Sequence, residues 1–183
     1  MDIKPVTLQG QSVRLEPLEL TRHWPGLLAI GLDPDLWRWT SSKVGSEADL
    51  RRYLERAVAE QVSGVSLPFV TVLAASGEVV GCTRFGNIVR EHKRAEIGWT
   101  WVARTHQRTI VNTEAKYLML RHAFEVWGLM RVELKTSATN LRSQNAMRRL
   151  GLTPEGTFRK WMFNEDGTPR DTMWFSVIDD EDR

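Results

Sequence analysis

Residues 104–121 read RTHQRTIVNTEAKYLMLR, and the strand-like run AEIGWTWVA stands directly before them. A strand, a tight polar loop and a helix start make an anion cradle. The first N–H groups of a helix have no acceptor within it and point at an incoming charge. Such loops usually carry glycines, because the backbone must turn sharply and approach the anion closely. Here Ile110 and Asn112 stand where glycines are expected. A β-branched residue disfavours a left-handed backbone, whereas asparagine tolerates one. Asn112 is therefore expected to supply the left-handed turn, and Asn112 or Thr113 to cap the helix. Arg104 and Arg108 either neutralise a bound phosphate or lie solvated. Glu114, in the first turn, suits the helix dipole but repels a phosphate unless it points away.

Other reactive types are sparse. The single cysteine, Cys82, lies in the run VVGCTRF and reads as a small core residue rather than a nucleophile. His106 reads as a loop histidine and His122 as an interior one on the apolar face of its helix. Asn140 and Ser143 open NLRSQNAMRR and are ordinary helix-capping types. Eight tryptophans, at 24, 37, 39, 99, 101, 127, 161 and 174, are an unusual number.

The elements that must position these residues follow from periodicity. SVRLEPL alternates as a strand, and HWPGLLAIGLDPDLWRW reads as helical pieces broken by Pro25 and Pro34. Ser46 and Asp49 form a capping box before a helix with apolar positions at Leu50, Tyr53, Leu54, Ala57 and Val58. LPFVTVLAA and EVVGCTRFGNIV pair across Ser76-Gly77. AEIGWTWVA is a strand, residues 113–127 are a helix, RVELKTSAT is a strand, NLRSQNAMRRLG is a helix, and GTFRKWMFN with RDTMWFSVI is a hairpin. The order predicts one α/β (α+β) domain over residues 1–183 with a mixed, mostly antiparallel sheet.

A chain of 183 residues with 42% hydrophobic and 26% charged residues suits one ordinary globular core. A net charge of +2 without a basic run gives no sign of nucleic-acid binding. No apolar run reaches about 18 residues and the N-terminus lacks an apolar core, so no membrane partner and a cytoplasmic location are expected.

The stretch RVELKTSATNLRSQNAMRRLGLTPEGTFRK carries the pattern N-x-x-S-x-x-A-x-x-x-L-G-[FL] and then E-G. Asn140, Ser143, Ala146, Leu150, Gly151, Leu152, Glu155 and Gly156 fall on it. With its element order, the chain resembles the GNAT N-acetyltransferase superfamily, in the branch of the RimJ/RimL-type ribosomal-protein N-terminal acetyltransferases. That family's loop, Q-x-x-G-x-[GA], reads QRTIVN here, and only Gln107 matches.

The resemblance implies a twisted sheet flanked by helices, with a V-shaped splay between two parallel strands, AEIGWTWVA and RVELKTSAT. It implies acetyl-CoA, released as coenzyme A, as co-substrate, and no metal. Trp101 and Val102 would pair their backbone with the pantetheine arm. Gln107, Arg108, Thr109, Ile110, Val111, Asn112 and Thr113 would hold the pyrophosphate. Asn140 would contact the pantetheine, Ser143 would lie near the sulfur as proton donor, and Asn145 would reach the adenosine end. Glu96 would be the general base, or else a structural carboxylate paired with Arg84 or Arg94. Trp37, Trp39 and Trp161 would wall the pocket for an amine acceptor, a peptide N-terminus or a small molecule. Those tryptophans equally suit a core or the face of a homodimer or higher homo-oligomer. RimL-like enzymes place a further acid in the penultimate strand, where RKWMF has none. An α-amine, with a pKa of about 7.7–8.0, is partly neutral at pH 7; a lysine, at about 10.4, needs a stronger base. The rival reading is a non-catalytic CoA-binding or partner-binding relative with a degenerate loop.

Overall fold

The computed structural model describes residues 1–181. In chain order the elements are β1 (Leu8–Gln9), β2 (Val13–Pro17), α1 (Leu20–Gly31), α2 (Glu47–Val62), β3 (Leu67–Leu73), β4 (Val79–Val89), β5 (Arg94–Val102), α3 (Ile110–Arg121), β6 (Arg131–Ser137), α4 (Leu141–Arg149), β7 (Thr153–Phe163) and β8 (Pro169–Ile178). Short 3-10 turns stand at Pro34–Leu36 and Arg104–His106. The strands form one sheet in the order β1-β2-β3-β4-β5-β6-β8-β7. Every neighbouring pair is antiparallel except β5 and β6.

Local chemistry sets these elements. The Ser46 hydroxyl accepts the Asp49 N–H at 3.2 Å and starts α2, as the capping box predicts. α1 differs from expectation: it runs unbroken through Pro25. Only one N–H is missing there, and the helix is buried at Leu27 and at Gly31, which lies against Leu50 of α2. α3 begins at Ile110, three residues before the expected start, and passes into a π-helical turn at His122–Val126.

Side-chain alternation gives the sheet two apolar faces. Phe69, Phe85, Ile97, Val132 and Phe175 pack toward α3 and α4 with Leu118, Met119 and Met147. Val70, Val72, Cys82 and Trp101 pack toward α1 and α2 with Leu27, Leu50 and Leu54. Burial pushes the Cys82 thiol up to about 12, so it is a core group and not a nucleophile. His122 packs against Phe85 and Trp127, but its Nε2 is buried without a partner.

The sheet opens where β5 meets β6. These strands pair only at Arg94↔Arg131, Ala95↔Val132 and Glu96↔Glu133. Beyond that point β5 stays with β4 as far as Val102, and β6 stays with β8 as far as Ser137. Bulges in both strands bend this region: Asn87 of β4 and Trp99 of β5 have φ of 47° and 49°. The result is the V-shaped gap expected from the resemblance.

Candidate active site

Glu96 is the last residue of β5 paired with β6, so it stands at the vertex of the V. It is 3% exposed. The Lys135 ammonium donates to both its oxygens at 2.7 and 2.6 Å, and Asn87 Nδ2 donates to Oε2 at 2.7 Å. Neither expected arginine partner is involved, because Arg84 pairs with Glu60 and Arg94 with Glu133. Lys135 lies 39 residues away in sequence and reaches Glu96 only because β6 lies parallel beside β5. The bulged Trp99 folds its ring over Gly86, where a Cβ would come within 2.3 Å of it. Only glycine permits that approach, and it places the indole beside Arg84 and Lys135.

Further along β5, the backbone itself is available. Ala103 N–H donates to Val80 at 2.7 Å, and the Trp101 carbonyl points at Gly81, 2.2 Å from where a Cβ would stand. Trp101 and Ala103 thus face β4, and Val102 between them faces the gap. Its carbonyl accepts Gln107 Nε2 at 2.9 Å, and Gln107 Oε1 accepts Arg142 Nη2 at 2.6 Å. Gln107 therefore ties the end of β5 to the first turn of α4 across the splay.

The glycine-free loop turns by an unexpected residue. Arg108, not Asn112, is left-handed, with φ of 62°. Thr109, not Asn112 or Thr113, is the N-cap: its hydroxyl accepts the Val111 N–H at 3.3 Å and donates to the His106 carbonyl at 2.7 Å. Ile110 and Asn112 are then ordinary right-handed helical residues, and the β-branched side chain at 110 meets no conflict. The N–H groups of Ile110 and Asn112 have no intrahelical acceptor. Glu114 faces away from them, accepting the N–H groups of Gln11, Ser12 and Val13 at 2.7, 2.8 and 2.9 Å. Arg104 is occupied by Asp33 and Asp35. Arg108 forms no ion pair among the described residues. The loop is a helix N-terminus with one uncommitted cation, which is what an anion requires. Thr113 follows in the same first turn of α3.

At the start of α4, Asn140 Oδ1 accepts the Ser143 N–H at 3.2 Å and caps the helix. Ser143 is partly covered, in the first turn of α4. Asn145 lies on the exposed face and accepts Arg148 Nη1 at 3.4 Å.

A family model described as an acetyltransferase (GNAT) domain matches residues 12–153. The chain belongs to the GNAT acetyltransferase family. A solved GCN5-related N-acetyltransferase from Brucella melitensis is 30% identical, with a TM-score of 0.87 over 96% of this chain and 80% of that one. The uncharacterized N-acetyltransferase YoaA of Bacillus subtilis (strain 168) is 29% identical over 101 residues, 55% of this chain and 56% of its own. The chain thus matches little more than half the length of its curated relatives. RimL, a ribosomal L7/L12 alpha-N-protein acetyltransferase, shares the fold at 18% identity, with a TM-score of 0.84 over 95% of this chain and 94% of that one.

At the edge of this GNAT sheet, β7 is exposed along most of its length, whereas β6 and β8 beside it are mostly buried. The three tryptophans singled out from sequence separate here. Trp37 is 1% exposed, packed on Tyr53 and Trp101, with its indole N–H on the Gly31 carbonyl at 2.8 Å. It is a core residue. Trp39 and Trp161 are exposed. Sequence reasoning missed their companions. Phe158, Trp161 and Trp174 form one cluster with ring centroids 5.2–6.0 Å apart, and the Lys135 ammonium sits 5.0 Å from the Trp174 ring. An aromatic shelf therefore leads to the Glu96–Lys135 pair. Arg170 lies beside it, with Nη1 donating to the Trp39 carbonyl at 2.9 Å.

Proposed function

We propose that this chain moves an acetyl group from acetyl-CoA directly to a primary amine. The observation that carries the reading is the splay itself. One opening places an anion-ready helix start, an outward-facing strand backbone and a buried carboxylate in line. These residues fit the co-substrate's chemistry: N–H donors and Arg108 for phosphates, and the gap-facing backbone at Val102, beside the Gln107 amide, for an amide-bearing arm. When bound, acetyl-CoA supplies an acetyl thioester with a good leaving group.

The chain's own residues do the rest. The N–H groups of Ile110 and Asn112 and the Arg108 guanidinium hold the pyrophosphate. Val102 aligns the arm along β5, and the α4 start at Asn140 bounds it. The aromatic shelf of Trp39, Phe158, Trp161 and Trp174 receives the acceptor. The Glu96 carboxylate, held by Lys135 and Asn87, takes a proton from the attacking nitrogen directly or through water. The Ser143 hydroxyl donates a hydrogen bond to the departing sulfur. Ordering both reactants in this gap removes the entropic cost of their encounter.

Incubation with acetyl-CoA and an amine panel, read by mass spectrometry, tests this. Amine-dependent CoA release with an N-acetylated product is expected. A protein that binds CoA but acetylates no amine would be the non-catalytic relative that the glycine-free loop alone suggests. Cys82, buried and protonated, will not compete in a thiol readout.

A further inference from the structure

Three successive positions on one face of β8 carry buried polar atoms with no hydrogen-bond partner: Arg170 Nε, Thr172 Oγ1 and Trp174 Nε1. Residues two apart on a strand share a face, so these form a row of unsatisfied donors. Trp174 lies opposite Lys135 and Thr172 opposite Ser137 on β6, beside the open splay. Phe158 of the aromatic shelf lies opposite Thr172 on β7. The row therefore runs along the acceptor side of the vertex.

Arg170 stands out within it. The residue is 6% exposed, yet it forms no ion pair among the described residues. A single side-chain hydrogen bond, to the Trp39 carbonyl, leaves most of its N–H donors uncommitted. The neighbouring cations are compensated, Lys135 by Glu96 and Arg84 by Glu60. A buried, unpaired guanidinium destabilises a fold and is retained only against some return. Burial holds the Arg170 guanidinium below the usual arginine range, and the Glu96 carboxylate offsets part of that.

We propose that Arg170 anchors a carboxylate on the acceptor, and that the acceptor is a free α-amino acid with a bulky apolar or aromatic side chain. This rests on the reading of the face as the amine side of an acetyltransferase. A planar guanidinium matches a carboxylate in paired hydrogen bonds. One uncompensated cation matches one carboxylate, whereas a phosphate monoester, at about −1.5 to −2, would crowd excess negative charge beside Glu96. The amine then faces Glu96, the carboxylate faces Arg170 and Thr172, and the side chain lies on Phe158 and Trp161. A peptide N-terminus has an amide where this anchor expects a charge.

Titration of the product form tests the idea without interference from amine basicity. N-acetyl-L-phenylalanine and N-acetyl-L-phenylalaninamide are compared by calorimetry on the CoA-loaded protein. The acid should bind the wild type about 10- to 100-fold more tightly than the amide. Arg170→Met should bring that ratio toward one, and Arg170→Lys should keep part of it. A structural arginine would instead show as a lowered melting temperature in Arg170→Met with the acid preference intact. Equal binding of acid and amide by the wild type, or binding of neither, overturns the proposal whether or not the variants fold. Failure of the underlying acetyltransferase reading looks different: CoA itself does not bind, or no amine of any class is acetylated.

Discussion

Replacing Arg108 separates two jobs that one residue performs. Its φ of 62° is left-handed, which costs a non-glycine residue roughly 1–2 kcal/mol. Arg108→Gly releases that strain and removes the cation. Arg108→Ala removes the cation and keeps the strain. An exposed charge about 4 Å from a phosphate is worth about 1 kcal/mol in water and more where solvent is partly excluded. CoA affinity should therefore fall by roughly fivefold or more in both variants. The glycine variant should be the more stable of the two by about 1 kcal/mol, which is about 2–4 °C in melting temperature for a domain of this size. Calorimetry with CoA and pantetheine, together with thermal melts, reads both effects. Pantetheine, which lacks the phosphates, should bind far more weakly than CoA and be indifferent to either change. If pantetheine binds the wild type as well as CoA does, the loop is no cradle. Equal melting of the two variants would refute the left-handed turn at 108.

Ser143→Ala should lower kcat about tenfold, the scale of one charge-assisted hydrogen bond, with CoA affinity nearly unchanged; unaltered turnover would leave Ser143 a surface residue of α4. Lys116 of α3 is buried, with its ammonium on Thr83 and Thr100 at 3.0 and 2.6 Å, and burial lowers its pKa to about 7. Between about 7 and its ordinary value the unfolded chain binds the extra proton, so stability should rise with pH through that window. Lys116→Met should exceed the wild type in urea midpoint at pH 6, and the gap should close toward pH 10; a gap that is the same at both pH values would contradict the burial argument. The expected two-fold dimer has a ready surface in the edge strand β7, where Phe163 is 64% exposed. Light scattering at tens of micromolar should give a doubled mass, and a monomer mass rejects it.

Much of this was legible in the sequence because it is local. Alternation in VRLEP and the continuous β-branched run LPFVTVL mark strands, and Ser46 with Asp49 marks a helix start. The N-x-x-S pattern pointed to the helix that closes the splay. What stayed hidden depends on tertiary placement. Arginine has no preference that would announce a left-handed turn at 108, whereas Asn112 has one and yet is an ordinary helical residue. Pro25 sits inside a helix because packing of Leu27 and Gly31 outweighs one lost hydrogen bond. Sequence proximity suggests Arg84 or Arg94 as the partner of Glu96, but the parallel pairing of β5 and β6 delivers Lys135 instead. The eight tryptophans looked alike on paper. Burial alone divides Trp37 in the core from Trp161 on the open shelf, and it is the fold of β8 that aligns Arg170, Thr172 and Trp174.

The pH dependence of CoA release by wild type and Glu96→Gln, measured with one acetylated amine at saturating acetyl-CoA, tests the central claim most directly. Glu96 at the vertex is expected to take the proton of the attacking nitrogen. The variant should be slower by about 10²-fold or more near neutral pH, and its profile should move upward, because the amine must then lose its proton unaided. The same rate and the same profile in both proteins would contradict the account.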